Sequence, residues 1–149
     1  MCVLFFASFA FAVNMRTPFV SVTASGVVPG EEYSLRAEGH RTLKIYNKGK
    51  EKIRVKFEVI PSAVEGFEAM PDGGWLSFEK DVLEIEPGAF AETDVVINVP
   101  DEKANYGRKF AAVIVSAGSA GGNLSAGLRS KLFFETLKRK SFFRRLFGR

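Results

Sequence analysis

The 149 residues contain one histidine, His40, and one cysteine, Cys2. Acid/base or nucleophilic chemistry needs a base within hydrogen-bond reach of a partner. His40 sits in Glu38-Gly39-His40-Arg41 with no second histidine in the chain and no thiol outside the N-terminal segment, so it reads as a surface residue. The carboxylates Glu84, Glu86, Asp94 and Asp101 fall at strand edges and turns, without the spacing of a calcium loop. No nucleophile-elbow, Walker or dinucleotide fingerprint occurs. One cysteine makes neither an intrachain disulfide nor a thiolate metal site. The expectation is therefore a protein with no catalytic residues, no metal and no cofactor, held together by packing.

What remains able to act is backbone and surface. Residues 124–134, LSAGLRSKLFF, alternate: Leu124, Ala126, Leu128, Leu132 and Phe134 are apolar, with Ser130 as the exception, while Ser125, Gly127, Arg129 and Lys131 are small or charged. A two-residue period lays one face of a strand on a core and the other in water. As the last strand of a sheet it either closes that sheet or lies exposed at its edge. Outward cations such as Arg129 and Lys131 are also how edge strands resist aggregation.

The elements that must carry this strand are short and β-prone. Residues 18–28 supply Phe19, Val20, Val22 and Val27, and Val28-Pro29-Gly30-Glu31 makes a turn. Residues 41–46 and 52–60, the second alternating Ile53, Val55, Phe57 and Val59 with Lys52, Arg54, Lys56 and Glu58, are predicted to form a hairpin across Asn47-Lys48-Gly49-Lys50. After a long connection over 61–74 come a short extended piece at 75–78, a strand through Val82, Leu83 and Ile85, and another at 93–99. Residues 110–115, FAAVIV, suit a central strand covered on both faces, and 117–123 read as a flexible loop. Trp75 is a candidate plug for the core. Turn signals every 8 to 12 residues or so and no amphipathic helix in the body predict an all-β, two-sheet sandwich of about seven strands.

Composition agrees with a single globular domain, at 46% hydrophobic and 26% charged residues. The net charge of +4 is localised: six of the 21 basic residues lie in 138–149 with no acidic neighbour there, leaving 15 basic against 17 acidic elsewhere. The basic character belongs to a tail, and no nucleic-acid partner is expected.

The order of several motifs resembles the prokaryotic immunoglobulin-like domains of the PapD-like kind, most of all the N-terminal domain of periplasmic pilus chaperones and related domains of bacterial surface proteins. The motifs are Leu43-x-Ile45-x-Asn47-x-Gly49, Leu83-x-Ile85-x-Pro87-Gly88, residues 95–100, Tyr106-Gly107 ahead of the apolar strand, and Arg129-Ser130-Lys131-Leu132-Phe133-Phe134, together spanning residues 16–137. The resemblance implies that Arg16 and Lys131 take the place of the family's carboxylate-binding arginine and lysine. It also implies that Leu128, Leu132 and Phe134 are donated to a partner's incomplete sheet, with backbone bonds supplying affinity and alternate side chains specificity. The 149 residues hold no second such domain, and Glu135 without a following proline replaces the family's basic-Pro ending. A relative of the usher-pathway chaperones is expected rather than one of them.

Residues 3–12, VLFFASFAFA, end in an A-x-A pattern and read as a secretory signal cleaved after Ala12, giving an exported protein of the periplasm or cell surface. No basic residue precedes the run, which a start assigned too far downstream explains; the other reading is a buried N-terminal strand. The domain plan is thus 1–12 signal, 13–137 sandwich and 138–149 tail. In the tail, Phe142, Phe143, Leu146 and Phe147 recur at helical spacing among Lys138, Arg139, Lys140, Arg144 and Arg145, as in a segment that adsorbs to an anionic membrane or docks on a partner. Two functions stand open: capture of an extended segment of a secreted or surface protein by strand addition, and a structural or adhesive module of an envelope complex held at the membrane by the tail.

Overall fold

The computed structural model describes residues 13–121, 124–139 and 146–147. The proposed signal, 1–12, and tail residues Lys140, Phe142, Phe143, Arg144 and Arg145 lie outside the described residues. The chain is an all-β sandwich. One layer contains a ladder of β1 (Met15–Arg16), β4 (Leu43–Asn47) and β9 (Phe90–Thr93), and a ladder of β3 (Glu32–Ser34), β10 (Val95–Asn98) and β7 (Leu76–Phe78). Leu35 N–H donates to Val95 O at 3.0 Å and extends the β3–β10 pairing, and along the chain only Asp94 separates β9 of the first ladder from β10 of the second. The facing layer runs β2 (Ser21–Val27), β12 (Leu124–Thr136), β11 (Lys109–Ala120), β5 (Ile53–Pro61), β8 (Val82–Ile85), with β6 (Glu68–Ala69) against the start of β11. Between the layers lie Phe19, Leu43, Ile45, Ile97, Ile114 and Phe134, all fully buried. Each comes from the apolar half of an alternating strand or its flank, which is why the layers stack.

The expected hairpin of 41–46 with 52–60 does not form. β4 pairs with β1 and β9, whereas β5 pairs with β11 and β8, so the chain turns a corner from one layer to the other. Asn47 holds that corner. Its buried side chain donates to Glu51 O at 2.7 Å and Ile85 O at 3.0 Å and accepts from Gly49 N–H at 2.9 Å. A turn sequence between two alternating runs signals a reversal without saying whether the second run stays in the same sheet.

Nor is the stretch 117–123 a loop, because β11 continues through Ala120 and only residues 121–123 connect it to β12. The small residues there answer a packing demand: a Cβ on Gly118 would collide with Sδ and Cε of Met15, which fills the space between the layers. Trp75 closes a 3-10 turn, Gly73–Trp75, rather than an extended piece, and its buried ring meets Phe110 edge-on at 5.2 Å.

Asn47→Ala deletes three hydrogen bonds and orphans buried carbonyls at the corner. It is expected to lower unfolding stability by about 1–3 kcal/mol, read from urea midpoints at unchanged m-value; a loss under about 0.5 kcal/mol would show that Asn47 does not hold the corner.

Candidate functional site

The strand singled out by its alternation, β12, is half closed and half open. Along its whole length it pairs antiparallel with β11, from Glu135 opposite Lys109 to Leu124 opposite Ala120. On its other side β2 pairs parallel with it only from Lys131 onward, opposite Ser21, and Lys131 N–H donates to Val20 O at 2.9 Å. Upstream of Val20 the chain leaves this layer and joins β4 of the other through β1. Residues 124–130 therefore have a ladder on one side only, among the described residues. Successive residues of a strand point their N–H and C=O to opposite sides. Lys131 faces β2, so Ser125, Gly127 and Arg129 present their backbone groups to the open side, and Ala126, Leu128 and Ser130 present theirs to β11.

Packing grades along the same pair of strands. At the closed end the inner face carries Phe110, Ala112, Ile114, Leu132 and Phe134, all buried, with Phe110 and Phe134 rings 5.5 Å apart. At the open end it carries Ser116, Gly118, Ala126, Leu128 and Ser130. Among the described residues the hydroxyls of Ser116 and Ser130 are buried there without a hydrogen-bond partner. Leu128 and Ala126 are half-buried against the core beside Val13. The outer face of this half holds Gly127, Arg129 and Lys131, all exposed. The open half is thus the less apolar, less filled end of the sheet.

These positions sort the expected site residues. Leu128 lies on the open half and is accessible in part. Leu132 and Phe134 do not: both are fully buried in the core and lie where β12 is paired on both sides, so neither is free to be donated. Periodicity marked them correctly as inward-facing; it held no information about where β2 would begin. Arg16 is exposed on β1 opposite Tyr46, and Lys131 is exposed on β12 in the other layer. The four residues from Arg16 to Val20 span at most roughly 14 Å, and Val20, whose carbonyl accepts from Lys131 N–H, lies about one strand spacing, roughly 5 Å, from Lys131. Lys131 stands at the inner end of the open half, and Arg16 lies on the neighbouring strand β1 of the other layer. In the tail, Lys138 and Arg139 are exposed, as are Leu146 at 59% and Phe147 at 80%.

Two residues that the sequence argument did not single out as site residues matter here, Gly127, which it read only as a small member of the alternation, and Met15. Gly127 leaves the outer face of the open half bare, and Met15 packs against Gly118 on the inner side of the same strand pair. Shifted protonation occurs elsewhere. Burial and then the Glu38 charge push the Tyr33 phenol up, while its hydroxyl lies 3.1 Å from Nε2 of His40. Glu84 and then Glu86 hold the Lys52 ammonium above its ordinary range, and a hydrogen bond from Thr42 draws Glu92 down. Each shift fixes the charge state the group already has at neutral pH. Among the described residues no cluster of three or more His, Cys, Asp or Glu side chains is arranged to hold a metal ion.

No protein-family description matches the chain, and no curated protein does. Solved structures do. The PapD-like domain 7 of human CEP192 superposes with a TM-score of 0.60 at 14% identity, over 86% of this chain and 87% of that one. The E. coli chaperone DraB gives 0.56 at 14% identity over 83% of this chain, and the Pseudomonas aeruginosa CupB2 chaperone 0.56 at 16% over 87%. The chain spans little more than half of those two chaperones, 55% and 59% of their lengths. The fold is the PapD-like immunoglobulin-like sandwich.

Proline tests the two halves separately, because it removes one N–H. Arg129→Pro deletes an N–H that faces the open side and is expected to shift the urea midpoint little. Ser130→Pro deletes one that faces β11 and is expected to cost the about 1–3 kcal/mol of an orphaned buried partner. Equal costs would contradict the half-open strand.

Proposed function

We propose that the protein is a non-catalytic binding module that captures an extended segment of another polypeptide by strand addition along residues 124–130 of β12. One observation carries this reading: among the described residues that half of the strand is hydrogen-bonded on a single side, with three residues, Ser125, Gly127 and Arg129, turning backbone donors and acceptors outward. An added strand would gain main-chain bonds there, set its inward side chains against Leu128 and Ala126, and bring its outward ones alongside Arg129 and Lys131. Arg16 and Lys131 then stand where an acidic side chain or a terminal carboxylate would end the added strand. The preferred segment alternates apolar and acidic residues. The likeness to DraB and CupB2, both described as chaperones, supports a protein-binding role.

Export to the periplasm or cell surface belongs to the same reading, with 1–12 as signal, 13–137 as the binding domain and 138–149 as tail. It rests on the apolar A-x-A run and on the likeness to the periplasmic chaperone SfaE. A second reading is favoured by the exposure of Leu146 and Phe147 near Lys138 and Arg139: a structural or adhesive envelope module held on an anionic membrane by its tail.

Fluorescence anisotropy with a labelled short peptide alternating Val and Asp tests the first reading. The native chain is expected to bind it, more weakly as salt rises. Leu128→Asp should lose at least about tenfold in affinity, a 1.4 kcal/mol change, with its unfolding midpoint retained, whereas Leu132→Asp should unfold the domain by burying a charge in the core. Binding that survives Leu128→Asp undiminished would remove the edge from the account. For the second reading, sedimentation with vesicles containing anionic lipid should depend on residues 138–149 and on salt; binding that ignores the tail would exclude it.

A further inference from the structure

An aromatic pair set among cations lies on the other layer, away from the edge of β12. The ladders of β1, β4 and β9 place Arg16 opposite Tyr46 and Tyr46 opposite Phe90 in one row, with Lys44 opposite Glu92 in the next. Residues directly opposite, or two apart along a strand, share a face, so all five side chains leave the same side of the sheet. Lys48 continues that face beyond β4, where its N–H donates to Asn14 O at 2.8 Å. The rings of Tyr46 and Phe90 lie 5.5 Å apart at 48°, and Phe90 is 53% exposed. Lys44 Nζ stands 4.5 Å from the centre of the Phe90 ring and 5.9 Å from that of Tyr46, and Lys48 Nζ stands 5.3 Å from Tyr46. Cation–π contact thus holds two long side chains in place before any ligand has to order them. Among the described residues none of Arg16, Lys44 and Lys48 forms an ion pair.

We infer that this face binds an acidic polysaccharide of the hexuronate kind, with sugar rings against Phe90 and Tyr46, carboxylates on Lys44, Lys48 and Arg16, and hydroxyls donating to Glu92. Glu92 decides the class of ligand. Its Oε2 accepts from Thr42 Oγ1 at 2.7 Å rather than pairing with Lys44 across from it, and that hydrogen bond draws its carboxyl below the usual range. An ionised acceptor among cations repels a phosphodiester or a polyglutamate, which have no side-chain donor to offer it. It suits a ligand that carries hydroxyl donors beside its carboxylates. A pyranose also presents a C–H face to an aromatic ring. Three strands make the patch about 10 Å wide, and Lys44 to Lys48 makes it about 13 Å long, the footprint of a short oligosaccharide. A membrane fits less well, because among the described residues of β1, β4 and β9 Phe90 is the one large apolar side chain exposed. The tail leaves beside Gly107, at the far end of β11 from Gly118 and Met15, and its basic residues have the wrong charge to cover the patch. The site shares only Arg16 with the capture function and does not depend on it.

Isothermal titration of the full chain with oligogalacturonate, and with the same oligosaccharide methyl-esterified, tests the inference. The acid form is expected to bind with a Kd of roughly 0.01 to 1 mM, more weakly as salt rises. The ester should bind at least about tenfold more weakly. Phe90→Ala and Lys44→Ala should each weaken the acid form about fivefold, with urea midpoints showing that both variants fold. Glu92→Ala supplies a sign. Losing a negative charge helps any polyanion, but only a ligand with hydroxyls misses the acceptor, so oligogalacturonate should weaken at least about threefold while polyglutamate tightens.

Leu128→Asp, which should lose capture of the Val/Asp peptide, is expected to bind oligogalacturonate as the native chain does, so the two functions are read separately. Sugar binding lost in that variant would place the site at the edge and overturn the inference. So would no binding at about 5 mM, equal affinity for the ester, or tighter binding with Glu92→Ala. Polyglutamate, single-stranded DNA or anionic vesicles binding the native chain more tightly than oligogalacturonate would assign the face to that occupant instead and overturn it equally.

Discussion

A strand in the middle of a sheet needs a neighbour on each side, and among the described residues β12 has two neighbours for only half its length. The rest of the structure can be followed from that shortage. The first strand of the domain is shared between layers: β1 pairs with β4, the chain crosses at residues 17–20, and β2 then closes β12 from Lys131 onward. One segment thus edges both layers, and among the described residues it leaves the first half of β12 uncovered on that side. That half is the seven-residue edge of β12.

Packing explains why the gap falls at this end. Leu132 and Phe134, buried against Phe110 and Ile114, each contribute roughly 1.5–3 kcal/mol on burial, and they anchor the closed half. At the other end the inward residues are Ser116, Gly118, Ala126, Leu128 and Ser130, of which only Leu128 is large, and Met15 fills the space over Gly118. Small and hydroxyl-bearing side chains recover little on burial, and the unpartnered hydroxyls of Ser116 and Ser130 cost some of that back. This end gains least from being closed by the chain itself. An external strand supplies what is missing there, backbone partners and apolar cover, without displacing an existing ladder.

Much of this architecture was legible in the sequence because alternation reports faces. The inward set on β12, the buried run of β11, the turn at Val28-Pro29-Gly30-Glu31 and the all-β class all follow from period and turn chemistry. Alternation does not report edges. Nothing in Leu132 or Phe134 distinguishes a residue beside β2 from one beside solvent, so the donor set was drawn too far along the strand. Turn residues after Tyr46 announced a reversal, yet only the buried amide of Asn47, reaching Ile85 O in the other layer, reveals a corner rather than a hairpin. Small residues at 117–120 looked like a loop because the side chain that demands them, Met15, is about a hundred positions away.

The most direct measurement is residue-resolved amide hydrogen exchange by NMR on dilute, monomeric protein. Exchange slows where an N–H is bonded and speeds where it meets water. The amides of Gly127 and Arg129 should exchange close to the unprotected rate while those of Leu128, Ser130, Lys131 and Leu132 are retained, a strand protected at every second residue on one half and at every residue on the other. Uniform protection from Ala126 to Phe134 would mean that β12 has no open edge, and the capture function would go with it.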